Sequence, residues 1–188
     1  MAVHEFQPDP LSASRRYELD GDTLAWRIGR RSGRLAFSGI ASLRLNLAPA
    51  ASQFHSTCVI TDRSGRRHTI SEAFKPKFFA DATKRTESFM AFSRALLTAL
   101  PAANPSAGLT LGPSRSDWIT AIIVLMVVAA VSLGGIALML IQRQIAWAGL
   151  AFIGVLLALA PGFWSVARSG GPKPLDAQAW LASQQTPV

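Results

Sequence analysis

The chain has one cysteine, Cys58, in 188 residues. A single cysteine excludes an intrachain disulfide, so no covalent staple is expected to support the fold. Histidine is scarce as well. His4, His55 and His68 stand apart in the sequence, and no two of them have the spacing of a metal-binding pair. A phosphate-cradling glycine loop, a nucleophile elbow and a metal signature are all missing, and the acidic residues are scattered through turn-like stretches. These absences favour a protein that is not an enzyme and has no cofactor. An enzyme assembled from distant residues is the remaining alternative. The first twenty residues lack an apolar run and so do not read as a secretory signal peptide.

Charge is the next shortage, and it is local. Residues 1–116 hold 16 of the 19 Lys and Arg and 9 of the 11 Asp and Glu, a surplus of seven positive charges. The remainder is nearly uncharged and strongly apolar. Trp118 to Ile141 is one uncharged stretch of 24 residues, and Ile145 to Ala167 is a second of 23. At 1.5 Å per residue the first would make a helix about 36 Å long, enough for a hydrocarbon core of about 30 Å with some tilt. A soluble helix is seldom apolar on every side for that length.

Two transmembrane helices are therefore expected, at 118–141 and 145–167. Only Gln142, Arg143 and Gln144 separate them, which implies an antiparallel hairpin. Trp118 and Trp164 would lie at one interface and Trp147 at the other. Arg115, Arg168 and Lys173 flank the open end and Arg143 alone marks the tip, which points both chain termini to the cytoplasm. Ala130 and Gly134, then Gly154, Ala158 and Gly162, recur at spacings of four. They offer helix faces for a protein partner or a homo-oligomer, although small residues are common in any span. Pro161 is expected to kink the second helix. No ionisable residue lies inside either span, which argues against an ion path.

Residues 15–101 read as a folded domain, after a tail at 1–14 and before a linker at 102–117. "TLAWRI" alternates Leu24, Trp26 and Ile28 with polar or small residues, and "SLRLNL" alternates Leu43, Leu45 and Leu47, as half-buried antiparallel strands do. "STCVITD" and "RRHTISEA" form a hairpin pair across Arg63 to Arg66, and Asp20, Gly21 and Asp22 mark another turn. His68 is expected to lie inward as a structural residue, and Cys58 to be plain packing. The period then changes. Phe89, Phe92, Leu96 and Leu100 recur at three and four, which predicts one amphipathic helix, capped by Asp81 or Thr83 and stopped by Pro101. Trp26 is expected beneath it. The tail at 168–188 opens with Gly-Gly-Pro. Its Leu175, Trp180 and Leu181 fit a short helix on the bilayer or on the domain, or a disordered end.

About six strands closed by one C-terminal helix make an α+β domain, an antiparallel sandwich or barrel. The run from "YELDGDTLAWRI" through "GRLAFSGIASLRL" to "ESFMAFSRALLTAL", followed by two spans, resembles the small bacterial membrane proteins with a pleckstrin-homology-like (bacterial PH) domain. The resemblance covers about residues 15–167. It implies a PH-like fold, a bacterial inner-membrane location with several passes, and no particular activity. A full PH fold has seven strands. The seventh is either hidden in "APAASQFHS" or absent.

The stretch "WRIGRRSGRLAF" sets Arg27, Arg30, Arg31 and Arg34 about a tight turn, and Arg63, Arg66 and Arg67 form a second basic hairpin. With Ile28 ending one strand and Leu35 starting the next, Gly29 to Arg34 reads as a solvent-facing loop. These seven arginines are the candidate contacts for anionic lipid or phosphate. An anionic leaflet gains about 1 kcal/mol per nearby Lys or Arg. A solvated, charge-rich turn explains the same residues. Nucleic acid is not expected, because no stacking aromatics or recognition helix accompany the charge. Two function classes stay open beside the enzyme. One is a cytoplasmic module binding anionic lipid or a protein partner. The other is a structural subunit of a larger membrane complex. If "RLAF" and "SLRLNL" are separate strands, the reading favoured by Ser38 and Gly39, the two basic turns lie at opposite ends. If residues 35–47 are one bent strand, they share an end.

Overall fold

Apolar alternation sets the strands, and their pairing follows the turns between them. The computed structural model describes residues 2–8, 11–47, 56–72, 82–142, 154 and 160–183. They form two compact units, one of residues up to 111 together with those from 174 onward, the other within 112–173. Among the described residues the chain is α+β, with two sheets and four helices.

The first unit opens with four antiparallel strands in sequence order: β1 (Val3–Phe6), β2 (Arg15–Asp20), β3 (Thr23–Ile28) and β4 (Arg31–Ala36). Leu19 faces Leu24, and Leu24 faces Leu35, across neighbouring strands of this sheet. A short 3-10 turn, Phe37–Gly39, leads to β5 (Ile40–Asn46) in a second sheet, where β6 (Thr57–Asp62) and β7 (Arg67–Ser71) follow antiparallel. β4 and β5 are thus separate strands, as the Ser38–Gly39 interruption implies. Among the described residues seven strands, where about six were expected, precede the helix. The one the pattern missed is β1, in the stretch read as a tail. Its four residues alternate too briefly to stand out from loop, yet His4 and Phe6 are buried. The alternative strand in 48–56 lies almost wholly outside the described residues.

Helix α1 (Ala82–Ala103) covers the core with the expected stripe. Phe89, Phe92, Leu96 and Leu100 are fully buried. Trp26 is only half-buried at the edge of this core. Thr83 lies inside the helix and is not its cap, and Asp81 is outside the described residues. Pro101 does not stop the helix either. It sits in the last turn, where it removes only its own donor, and Asn104 N–H still closes onto Leu100 O at 2.7 Å.

Asn104 is 5% exposed and fully engaged. Its side-chain amide donates to the carbonyls of Phe37 and Ile40, both at 2.9 Å, and its Oδ1 accepts from Ser106 Oγ at 2.7 Å. The end of α1 is thereby tied to the corner between the two sheets. Removing the amide would take one hydrogen bond from each of these buried carbonyls, with Phe37 O keeping the Ile40 N–H, at about 0.5–1.5 kcal/mol per bond lost.

The segment read as a linker, 102–117, is mostly regular structure. After Asn104 the chain forms β8 (Gly108–Leu111), parallel to β5, and α2 begins at Arg115. Three residues remain between them. The C-terminal stretch also joins the first unit. β9 (Lys173–Pro174) neighbours β8 in the sheet order β7-β6-β5-β8-β9, and Leu175 N–H donates to Leu109 O at 3.0 Å. A last helix, α4 (Ala177–Ser183), starts on Asp176, whose carboxylate accepts from Gln178 and Ala179 N–H at 2.9 and 3.1 Å. It buries Ala177 and Trp180 in the common core. Of the three readings of this tail, a helix on the domain is the one observed. The domain is discontinuous in sequence, because residues from both sides of the apolar segment fill one core.

In the second unit α2 (Arg115–Gln142) starts at a capping box. Ser114 Oγ accepts from Asp117 N–H at 3.0 Å, and the Asp117 carboxylate accepts from Ser114 N–H at 3.3 Å. This one helix is long and apolar enough to cross a membrane, and only 11% of its apolar window is buried. A core helix of a soluble domain would be mostly covered. Ala121 and Ser132 are buried, while Ile123, Met126, Val127 and Leu133 are 50–68% exposed. Ala130 and Gly134 are exposed too. The expected second span, 145–167, lies largely outside the described residues, and Trp147, Ala158 and the stretch before Pro161 fall there. Residues 160–168 are helical (α3). The Trp118 indole N–H donates to Ala167 O at 2.9 Å, joining the start of α2 to the end of α3.

A chain in which 112–173 is replaced by a short Gly-Ser loop from Leu111 to Pro174 should be water-soluble and unfold cooperatively. In that protein Trp180→Ala should cost about 3–5 kcal/mol in urea denaturation. A fragment ending at residue 112 should lose at least as much, since it lacks all of α4. Unchanged stability on Trp180→Ala would show that α4 does not complete the core.

Candidate functional site: a basic face on the first sheet

Strand register decides which arginines meet. The β3–β4 connection is a two-residue turn, Gly29–Arg30, because Ile28 already pairs with Arg31. The expected six-residue loop is therefore shorter, and Arg31 to Arg34 belong to β4. Gly29 sits at φ +58, where a side chain would be strained, and its N–H donates to Ser14 O at 3.1 Å. Pairing of this kind puts alternate residues on opposite faces. Leu24, Trp26, Gly33 and Leu35 share the core side. Arg27 and Arg34 share the other.

On that outer face Arg27 lies between Arg16 of β2 and Ser32 of β4, and the adjacent row reads Glu18, Ala25, Arg34. Small Ala25 between longer neighbours leaves an open concavity of about 470 Å³, lined by both rows and completed by Trp26 and Gly33. Gly33 is required there. A Cβ on it would fall 2.6 Å from the Trp26 ring. Arg16 pairs with Glu18 at 3.4 Å, and Arg34 reaches Asp20 at 3.7 Å with both side chains well exposed. Arg27 has no ion pair among the described residues. Arg16, Glu18 and Ser32 were not singled out from the sequence. Alternation in "RRYELD" puts Arg16 and Glu18 on one face, but only the register places them beside Arg27.

The other candidates do not join this concavity. Arg30 is in the turn and Arg31 is exposed at the start of β4. Arg63 and Arg66 flank the β6–β7 turn, with Arg67 opening β7. Asp62 holds that turn by accepting from the N–H of Ser64 and of Arg66, both at 2.9 Å, and Gly65 takes φ +85. Arg63 N–H donates to Gly39 O at 2.9 Å. The turn thus sits by the far end of β4 from Gly29–Arg30. β4 and β5 lie in different sheets, so the single meander that would set the two basic turns at opposite ends is not formed. Arg66 folds back so that its guanidinium stands 5.0 Å above the Trp26 ring.

Inside the domain, Cys58 is buried and its thiol is pushed up to about 12 by desolvation. That makes it a packing residue rather than a nucleophile. His68 is buried against Trp26 and Tyr17, as an inward structural residue should be. His4 is buried beside Phe6, Phe89 and Phe92. Its Nε2 lies 3.0 Å from Ser71 O, so that nitrogen carries the proton, and Nδ1 accepts from Ser88 Oγ at 3.0 Å. No group of His, Cys, Asp or Glu among the described residues could hold a metal ion.

Burial lowers both histidines below their ordinary value of 6.5. For His4 the Ser71 carbonyl and Glu72 oppose the shift in part. For His68 the positive charge of Arg66 adds to the lowering, and Asp62 opposes it. A lowered histidine binds fewer protons folded than unfolded. Its contribution to stability is complete above about pH 6.5 and declines as pH falls below that value. Thermal melts of the full chain in detergent should therefore fall between pH 7 and pH 5, with both rings still neutral by NMR just below pH 6.5. A ring that is already protonated at pH 6.5 would contradict this.

No family model, curated protein or solved structure matches this chain, so the meaning of the basic face rests on its own geometry.

Proposed function

We propose that this chain is a non-enzymatic membrane protein with two crossings, presenting a PH-like module on the cytoplasmic side of a bacterial inner membrane to anionic lipid or a protein partner. One observation carries the reading. The domain's core contains residues from before Leu111 and from after Pro174, on neighbouring strands β8 and β9. A folded domain stands on one side of a bilayer. The segment between must then cross an even number of times, and its length suits two crossings. The exposed apolar surface of α2 and the Trp118–Ala167 bond at 2.9 Å support the same hairpin. Four strands in one sheet, three in the next and a closing helix follow the order of a PH-like fold, with β8, β9 and α4 added. Arg115, Arg168 and Lys173 against Arg143 favour the cytoplasmic side.

A second reading, an accessory subunit of a larger membrane complex, draws on Ala130 and Gly134. Both are exposed on α2, and a Cβ on Gly134 would meet nothing within 4 Å.

Topology is tested by single cysteines, because native Cys58 is buried and silent in the folded protein. Asp22→Cys and Gln178→Cys should both resist an impermeant thiol reagent added to intact cells, while Gln142→Cys should react. Labelling of only one of the two domain positions would end the even-crossing argument, and the full reverse pattern would place the domain outside.

A further inference from the structure

The geometry points to the outer face of β2–β4 as a binding site for one phosphate monoester group, held between Arg27 and Arg34 over Ala25. The inference rests on the binding-module reading and names its ligand chemistry and its place.

Three observations combine. First, Arg16 and Arg27 stand directly opposite each other on adjacent strands. Like charges in that relation destabilise a sheet. Glu18 relieves Arg16, but Arg27 faces only Arg16 and Ser32 across its strand. A sheet that keeps such a conflict on a concave surface is prepared for an anion that removes it.

Second, the corners of the concavity offer complementary donors. Arg27 and Arg34 lie diagonally across the β3–β4 pair, with Ala25 and Ser32 at the other two corners. Diagonal neighbours in a sheet are about 7–8 Å apart, which two long guanidinium side chains can close around a tetrahedral anion. The Ser32 hydroxyl supplies a neutral donor. Arg34 is free to turn inward, because its pair with Asp20 is exposed and long at 3.7 Å and such pairs hold weakly.

Third, the charge selects the ligand. Three arginines and Glu18 give the concavity a net charge of +2. A phosphate monoester carries about −1.5 to −2 at neutral pH, whereas a diester carries one negative charge. The site matches the monoester. That group occurs on a lipid, as in phosphatidic acid, and on soluble phosphate esters.

The test uses the full chain in phosphatidylcholine nanodiscs, titrated with glycerol 3-phosphate and, separately, with dimethyl phosphate. Saturable binding of glycerol 3-phosphate is expected, with dimethyl phosphate at least about tenfold weaker. Arg27→Gln and Arg34→Gln should each weaken the monoester about tenfold or more, the loss expected when a hydrogen bond to a charged group is removed. Arg30→Gln and Arg67→Gln should leave it unchanged. Binding should also weaken below about pH 6, as the monoester takes up its second proton. In discs with part of the lipid replaced by phosphatidic acid, loss of glycerol 3-phosphate binding identifies the lipid headgroup as the source. Retained binding identifies a soluble ester. Three results would overturn the site: no saturable monoester binding, equal affinity for the diester, or equal loss from Arg30→Gln and Arg27→Gln. The cysteine labelling above is independent of this titration. A domain on the expected side without monoester binding would remove this site and leave the anchored module standing.

Discussion

The side chain of Asn104 holds the carbonyls of Phe37 and Ile40, the two ends of the turn that carries the chain from one sheet to the other. The same turn is held by Phe37 N–H to Asp22 O at 2.8 Å and by Arg63 N–H to Gly39 O at 2.9 Å. By binding both carbonyls from the end of α1, one carboxamide ties the helix to that corner. The consequences run on along the chain. With α1 ending at the corner, Gly108–Leu111 can lie parallel to β5, starting opposite Ser42. The new strand then carries the backbone straight to the start of the apolar segment.

That route makes the domain discontinuous. β9 and α4 are added after the membrane segment, and Trp180 reaches a core otherwise built before residue 111. Core closure therefore waits for the last part of the chain, so the domain completes itself only after the apolar segment has been made. Three residues, 112–114, separate β8 from α2.

The arginines separate into two physical kinds. Those of the turns, Arg30 and Arg63, are bathed in solvent, where charge keeps a turn hydrated and raises the surrounding potential. Those of the sheet face, Arg16, Arg27 and Arg34, are held by strand register at fixed spacings around a small residue. Arg66 belongs to neither kind. It stands over Trp26, and its charge is felt by His68 beneath. The same side chain thereby links the surface field to the titration of the interior.

The sequence by itself determined the elements whose signal is local. Period-two alternation placed β3, β5 and β6, the three-and-four spacing of Phe89, Phe92, Leu96 and Leu100 placed α1, and the uncharged run from Trp118 placed α2. It also set His68 and Cys58 inside. What it left undecided depends on contacts distant in sequence. β1, β8 and β9 have two to four residues each, too few for a period, and exist because a neighbouring strand offers unpaired backbone groups. Trp180 was legible as an apolar residue, but its place in the core depends on a surface assembled some eighty residues earlier. The basic face shows the same division. Four arginines in "WRIGRRSGRLAF" were plain to read, yet the turn length, and with it which two of them face outward beside Arg16, was fixed only when Ile28 paired with Arg31. A shift of one residue would exchange the two faces, so register, a tertiary property, decided which charges form a site.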